Sequence, residues 1–321
     1  MGHLLAGKWT NDEKLKEVRS NGQYVKYVSR FKSVISQDGA HTFPAEPGRY
    51  ILYSSVACPW AHRTVIMRSL KNLDGLVELC NTQQSEDGQG WSFAPDRHDI
   101  PGTNKTIRHL HEIYTLAEAA YTGRVTVPLL WDAKTRQIVN NESSEIMRIF
   151  NRAFDGLADP SPNFNPPELR DCIDKTNAMI LLGINNAVNE CGRSTSQTVY
   201  DKALKGLFDT LENLENILSK NRYLCGSRQT EADWRLYPTL VRFDAIYFIG
   251  YKCNLRPLSD YQNLSNYLKE LYQTPGIKQI SDVDEMKRQV FSKTGPINSN
   301  GIIPGGPTLQ LDSPHDRHRL T

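Results

Sequence analysis

Cys58, followed at once by Pro59, is the residue of this chain best placed to do chemistry. The stretch from Tyr50 to Leu70 runs from the apolar Ile51, Leu52 and Tyr53, which predict a buried strand, through Cys58-Pro59 into Val65, Ile66, Met67 and Leu70 at helical spacing. Proline suits the first helical position, because its fixed φ is already helical and its missing N–H would go unpaired there. Cys58 therefore falls at or next to an N-cap, facing unpaired backbone N–H groups and the positive end of the helix dipole. Both favour thiolate over thiol, so its pKa is expected below the free value of about 8.5. His62 and Arg63, within the first turn and a half, add positive charge. The plain alternative is a small buried residue, the usual fate of a free cysteine, and spacing alone does not choose between the two. A redox C-x-x-C pair would need its second sulfur at position 61, which is Ala61. With one sulfur, turnover would require an external thiol to resolve a mixed disulfide on Cys58.

The length of 321 residues favours two domains over one. Charge is balanced, at net +2 with 38 basic and 36 acidic residues, so no electrostatic footprint for nucleic acid or anionic membrane is present. No apolar run approaches the roughly 20 residues of a membrane span, and the opening residues Met1 to Lys14 carry too little apolar length for a secretory signal. Cys58, Cys80, Cys172, Cys191, Cys225 and Cys253 are widely scattered, which points to free thiols in a reducing cytoplasm. His109-x-His111 is a close histidine pair, but two residues apart on a helix the rings would diverge, so no metal site is expected.

Residues 1 to about 48 read as a lead-in segment draped over a neighbour, ending in the breaker cluster Phe43 to Gly48. After the strand and helix around Cys58, Gly75 to Cys80 is a second strand candidate. The polar stretch Asn81 to Thr106 is too long for an ordinary connection, and Trp91 and Phe93 within it argue for function over disorder. Arg108 to Tyr121 predicts a helix. Arg124 to Trp131 predicts a strand interrupted by Pro128, which marks an edge or a bend, and Gln137 to Asn140 a further strand. Asn141 or Ser143 could cap the helix that carries Ile146, Met147, Ile149 and Phe150. This order fits a small mixed sheet flanked by helices, an α/β domain over 49–157. The proline cluster Ala158 to Pro167 is the boundary to an all-α domain over 168–289, where Thr230 to Asp233 is a capping signature, and 290–321 is an extended tail.

Several motifs together carry a resemblance that covers residues 4 to about 315. They are Cys58-Pro59-Trp60-Ala61-His62-Arg63, Gly90-Trp91-x-Phe93, Arg124-Val125-Thr126-Val127-Pro128 and Asn141-Glu142-Ser143. Later come Arg242-Phe243-Asp244 with Tyr247, Lys252-Cys253-Asn254, and the late Ile297-Asn298 to Gly306-Pro307 stretch. The chain resembles the Xi-class glutathione transferases, the glutathionyl-hydroquinone reductases. That resemblance implies a thioredoxin-like glutathione-binding domain followed by the all-α domain. The implied reaction has Cys58 take glutathione from a glutathionyl-hydroquinone, after which a second glutathione frees the cysteine. It also implies that Trp91, Arg124, Val127 ahead of a cis-Pro128, Glu142 and Ser143 bind glutathione, that Tyr247 faces the hydroquinone, and that the protein is a homodimer. From the residues alone, Glu142-Ser143 is an ordinary helix cap.

The family usually presents three tyrosines to the hydroquinone, and this chain keeps one. Asn189 stands at the position of the first, and the late His-Tyr-Tyr/Phe stretch is Gln289-Val290-Phe291. Two phenol O–H groups are thus absent. That opens an alternative with other acceptors, such as mixed disulfides, dehydroascorbate or phenacyl-glutathione conjugates, as in the Omega class. A reading of another kind is a non-catalytic ligand-binding protein on the same fold.

Overall fold

The computed structural model describes residues 2–11, 21–23, 29–37, 42–93, 95–292, 297–298 and 300–320. The chain divides into two compact units, one of Met1–Lys16, Tyr27–Pro162 and Ser292–Gly301, the other of Glu17–Lys26, Asn163–Phe291 and Ile302–Thr321.

The first unit is built on a four-stranded mixed sheet of β1 (Tyr50–Ser54), β2 (Val77–Asn81), β3 (Leu129–Asp132) and β4 (Gln137–Asn140), in the order β4-β3-β1-β2. β1 and β2 are parallel; β3 runs antiparallel to both β1 and β4. Every residue of β1 and β3 is buried, as expected of central strands covered on both faces, and this is why they read as unbroken apolar runs. Helices α1 (Pro59–Leu70) and α3 (Ser143–Arg152) pack against each other. Residues Ile51, Tyr53, Leu129, Trp131 and Ile138 share a core with Ile113 and Tyr114 of the short helix α2 (His111–Ala117).

At the end of β3, Asp132 takes both arms of the Arg49 guanidinium, at 2.9 and 2.5 Å, with both side chains buried. Burial alone would raise the Asp132 carboxyl, but hydrogen bonds from Arg49, Thr135 and the Lys134 amide hold it below the usual carboxylate range. Tyr50 pairs with Asp132 across the sheet, so this ion pair pins the β1–β3 register.

Several sequence expectations are corrected here. Helix α2 is shorter than 108–121, because the Leu110 N–H donates to the Trp91 carbonyl and the Glu112 carboxylate accepts from the Arg108 and His109 amides, holding those residues outside the helix. Asn81 to Thr106 is not a structureless loop: Gln83–Gln84 pairs with Trp91–Ser92, and His98–Asp99 with Thr106–Ile107. The strand over 124–131 divides in two. Gly123–Arg124 joins a small sheet with His3–Leu5, and β3 begins only after the cis Val127–Pro128 peptide. Pro128 therefore marks a bend leading into a central strand, where no ladder N–H is required of it. His3–Leu5 pairs in turn with Lys8–Thr10, and Ser29 to Ser33 is hydrogen-bonded along β4 and Asn141, so part of the lead-in is sheet edge. Tyr24 and Tyr27 lie outside the described residues.

The second unit is helical. It comprises α4 (Arg170–Ile180), α5 (Ala187–Arg193), α6 (Gln197–Lys220) and α7 (Glu231–Arg242), followed by helices at Gln262–Tyr272 and Val283–Val290. π-helical turns occur at Leu181–Asn186 and Phe243–Tyr247. At the start of α7, the Asp233 carboxylate accepts from Thr230 N–H, Thr230 Oγ1, the Leu224 amide and the Tyr267 hydroxyl, between 2.7 and 3.0 Å. Arg317, near the chain end, is buried and donates to the carbonyls of Leu218, Asn221 and Arg222, which are the open acceptors at the end of α6. No described helix is long and apolar enough to cross a membrane.

Replacing Asp132 with alanine leaves Arg49 charged and buried, so a loss of about 3–5 kcal/mol at neutral pH is expected in chemical denaturation. The folded-state pKa of Asp132 is lowered, so its contribution is complete above the unfolded value of about 3.9 and fades as pH falls through the folded value. The gap between wild type and Asp132→Ala should therefore narrow in acid.

Candidate active site

Cys58 is the N-cap of α1, with extended backbone angles, and Pro59 opens the helix. The turn into it is closed by the Cys58 amide, which donates to the Ser55 carbonyl at 3.0 Å. Its sulfur accepts from the Ala61 N–H at 3.4 Å and its thiol donates to the Val127 carbonyl at 3.6 Å. Position 61, which lacks a second sulfur, thus supplies a backbone donor. Cys58 is partly exposed, whereas His62 and Arg63 are buried, the latter with its guanidinium 4.6 Å from the Trp60 ring centroid.

A second helix start lies in the same unit. Glu142, not Asn141 or Ser143, is the N-cap of α3: its Oε1 accepts from the Ser144 amide and hydroxyl, at 3.3 and 3.1 Å. Ser29 donates to Oε2 at 3.0 Å. Asn141 is drawn out of the cap position because its Oδ1 accepts from the Phe31 amide and its Nδ2 reaches the Tyr114 hydroxyl. Ser143, the first helical residue, is buried.

Trp91 is buried in the core that Cys58 packs against, and Val127 belongs to the same cluster. Gly90 ahead of Trp91 has φ +80°, and a Cβ there would sit 2.7 Å from the Trp9 ring, so no other residue fits that bend without displacing the indole. Arg124 lies on the short strand against His3, three residues before Val127. His109 and His111 do not diverge. His109 precedes α2, so helical geometry does not apply, and the two rings stack at 5.2 Å between centroids. Their partners are Asp87 and Gln89. Among the described residues no group of three or more His, Cys, Asp or Glu is arranged to hold a metal ion.

Tyr247 belongs to the second unit, where it ends a π-helical turn, is buried, and meets the Tyr251 ring edge-on at 5.0 Å. In that unit too, Asn189 donates to the Asn185 carbonyl one turn earlier at 2.8 Å, and Val290 is buried at the end of its helix.

Other thiols behave differently. Cys80 lies 3.7 Å from His98 Nδ1, but burial, then the Glu78 charge, pushes its thiol up to about 12. Burial also lowers His98. That Cys–His contact is therefore a pair of neutral groups, not an activated nucleophile.

Tyr114 was not legible as a site residue. Its buried hydroxyl donates to the Thr126 carbonyl at 2.9 Å and accepts from the Thr126 amide at 3.2 Å and Asn141 Nδ2 at 3.4 Å. One phenol thus ties the residue before Val127 to the residue before Glu142. In sequence Tyr114 is simply a core position of a helix, and no local pattern singles it out.

The geometry has counterparts. The family model for the N-terminal domain of Glutathione S-transferase matches residues 57–153, and that for the C-terminal domain residues 197–270. The glutathionyl-hydroquinone reductase YqjG of Escherichia coli (strain K12) is 42% identical over 327 residues, covering 99% of this chain and 98% of its own. The Xi class GST from Natrialba magadii superposes with a TM-score of 0.90 at 35% identity, covering 100% of this chain and 97% of that one. The chain belongs to the Xi-class glutathione transferases. The glutathione-bound structure of YqjG gives a TM-score of 0.86 at 40% identity, covering 98% and 99% of the two chains.

Tyr114→Phe should cost about 1–3 kcal/mol, because it strands the Thr126 peptide and the Asn141 amide. The expected readout is a lower denaturant midpoint with an unchanged slope.

Proposed function

We propose that this Xi-class transferase is a glutathionyl-hydroquinone reductase that works through a single thiol. The observation carrying the reading is the partly exposed Cys58 sulfur at the start of α1, accepting from the Ala61 N–H beside the Val127 carbonyl. The Cys58 thiolate attacks the sulfur of a glutathionyl-hydroquinone. The carbon–sulfur bond breaks, its electron pair and a proton go to the ring carbon, and the hydroquinone leaves. A second glutathione thiolate then attacks the Cys58–glutathione disulfide, releasing glutathione disulfide and restoring the Cys58 thiolate.

In this reading the stretch 49–157 is the glutathione-binding domain. The Val127 backbone, free of the thiol once Cys58 ionises, pairs with the cysteinyl backbone of glutathione. Glu142 and Ser143 take the γ-glutamyl end, whose carboxylate meets the N-terminus of α3. Ser29 and Ser144 donate to the Glu142 carboxylate, and an ionised carboxylate is an acceptor of the kind an ammonium group pairs with. Trp91 and Arg124 complete the site, and Tyr247 hydrogen-bonds a hydroquinone oxygen. π-helical turns concentrate at functional sites, and Tyr247 closes one while Asn189 follows another shortly after. Six free cysteines support action in the cytoplasm, and a homodimer is the expected assembly.

Asn189 and Val290, at positions where the family carries tyrosines, favour a second reading in which the same thiolate serves mixed disulfides or dehydroascorbate.

The deciding experiment follows hydroquinone release from a glutathionyl-hydroquinone with excess glutathione, beside hydroxyethyl disulfide and dehydroascorbate. Release is expected, rising with pH along a Cys58 titration below the free-thiol value of about 8.5. Cys58→Ser should lower it by about three orders of magnitude or more. Thiol transfer to the rivals without hydroquinone release would establish the second reading, and a ligand-binding function untouched by Cys58→Ser would remove both.

A further inference from the structure

The N-terminal hairpin lies against two of the proposed glutathione contacts. His3–Leu5 pairs on one side with Gly123–Arg124, His3 opposite Arg124, and on the other with Lys8–Thr10, Leu4 opposite Trp9. Ala6 and Gly7 join the two strands with φ of +46° and +78°, as a two-residue turn of type I′ requires. The turn is tied down, because the Gly7 amide donates to the Tyr121 carbonyl and the Ala6 amide to Thr122 Oγ1, each at 2.9 Å. The outer strand thereby carries Trp9 to the segment that bears Trp91.

The indole is closely fitted there. A Cβ on Gly90 would stand 2.7 Å from Trp9 Cη2, and one on Gly2 2.6 Å from Trp9 Cζ2, so the outer edge of the six-membered ring lies against two glycine backbones. One face stacks on the His111 ring, with centroids 5.0 Å apart and 25° between planes. Trp9 Nε1 has no hydrogen-bond partner among the described residues, and the contacts named are those of the ring. Around Gly90 the backbone is otherwise held by its carbonyls: that of Gly90 accepts from the Ser85 amide at 2.8 Å, and that of Trp91 from the Leu110 amide at 2.9 Å. The indole edge stops Gly90 from the side that those hydrogen bonds leave open.

We propose that Trp9 is a positioning residue for glutathione binding, which acts through Gly90 on Trp91 and does not itself touch the ligand. The inference rests on the reading that Trp91 and Arg124 contact glutathione. One hairpin then braces both, Arg124 through its pairing with His3 and Trp91 through the Trp9 edge. A misplacement of about 1 Å at a binding group costs up to about a hundredfold, and removing the edge opens room of that order beside Gly90.

The test measures binding of reduced glutathione to the reduced full-length protein by titration calorimetry under nitrogen. Trp9→Phe is the first variant, since a phenyl ring still stacks on His111 but stops short of the indole's outer edge. Its Kd for glutathione is expected to rise by about three- to tenfold, and that of Trp9→Ala by about tenfold or more. The titration reports affinity and the number of sites per chain separately, and a folding defect alone lowers the second without changing the first. Trp91→Ala should also weaken binding. With Trp91 already removed, Trp9→Phe should cost less than about a further twofold, because it acts through the side chain that is gone. Losses that add in full would overturn the proposal, as would wild-type affinity in Trp9→Phe or in Trp91→Ala. Binding needs no turnover at Cys58, so hydroquinone release decides the reductase reading separately.

Discussion

The antiparallel pairing of β3 with β1, in the register Leu129 to Tyr53 and Asp132 to Tyr50, is the constraint on which the site depends. Residue 127 is more than sixty positions from Cys58 in the chain, and its carbonyl reaches the sulfur only because these two strands are neighbours. The register is held at one end by the buried Arg49–Asp132 pair. At the other, β1 runs on into the turn that carries Cys58. A slip of one residue would reverse every side chain of a strand buried on both faces, so the sheet tolerates no alternative.

Two helix starts then do related physical work. α1 begins at a sulfur and α3 at a carboxylate, and each accepts an otherwise unpaired helix amide. Tyr114 couples the supports of the two, since its hydroxyl holds Thr126 on one side and Asn141 on the other. Position, not residue type, separates these groups from others of the same kind. Cys80 stands beside a histidine, yet burial keeps its proton in place. Asp233 shows the same rule for a carboxyl: burial raises it despite four donors, and its role is to organise the start of α7. Desolvation sets the cost of charge.

The second unit follows a parallel logic around its polar anchors. Arg317 closes the end of α6 from the chain terminus, and Asp233 gathers the residues at the start of α7. Its π-helical turns at Leu181–Asn186 and Phe243–Tyr247 interrupt otherwise regular helices near Asn189 and Tyr247. The Asn189 amide, in α5, donates to the Asn185 carbonyl in the π-helical turn before it.

The sequence by itself determined what local chemistry can specify. Cys58-Pro59 at the end of an apolar run fixed a strand, a turn and a helix start, because proline's φ and missing N–H leave few other arrangements. The Thr230 to Asp233 cap and the helical character of the later chain were legible for the same reason. The motifs at Trp91, Arg124, Val127 and Glu142 carried the family, though not the geometry. The tertiary structure decided whatever depends on distant partners. It shortened α2 because Trp91 claimed the Leu110 amide, and moved the α3 cap to Glu142 because Phe31 and Tyr114 claimed Asn141. It turned the stretch 81–106 into paired strands. Each of these outcomes is a competition for a hydrogen bond or a contact between residues far apart in the chain, and local periodicity carries no trace of the winner.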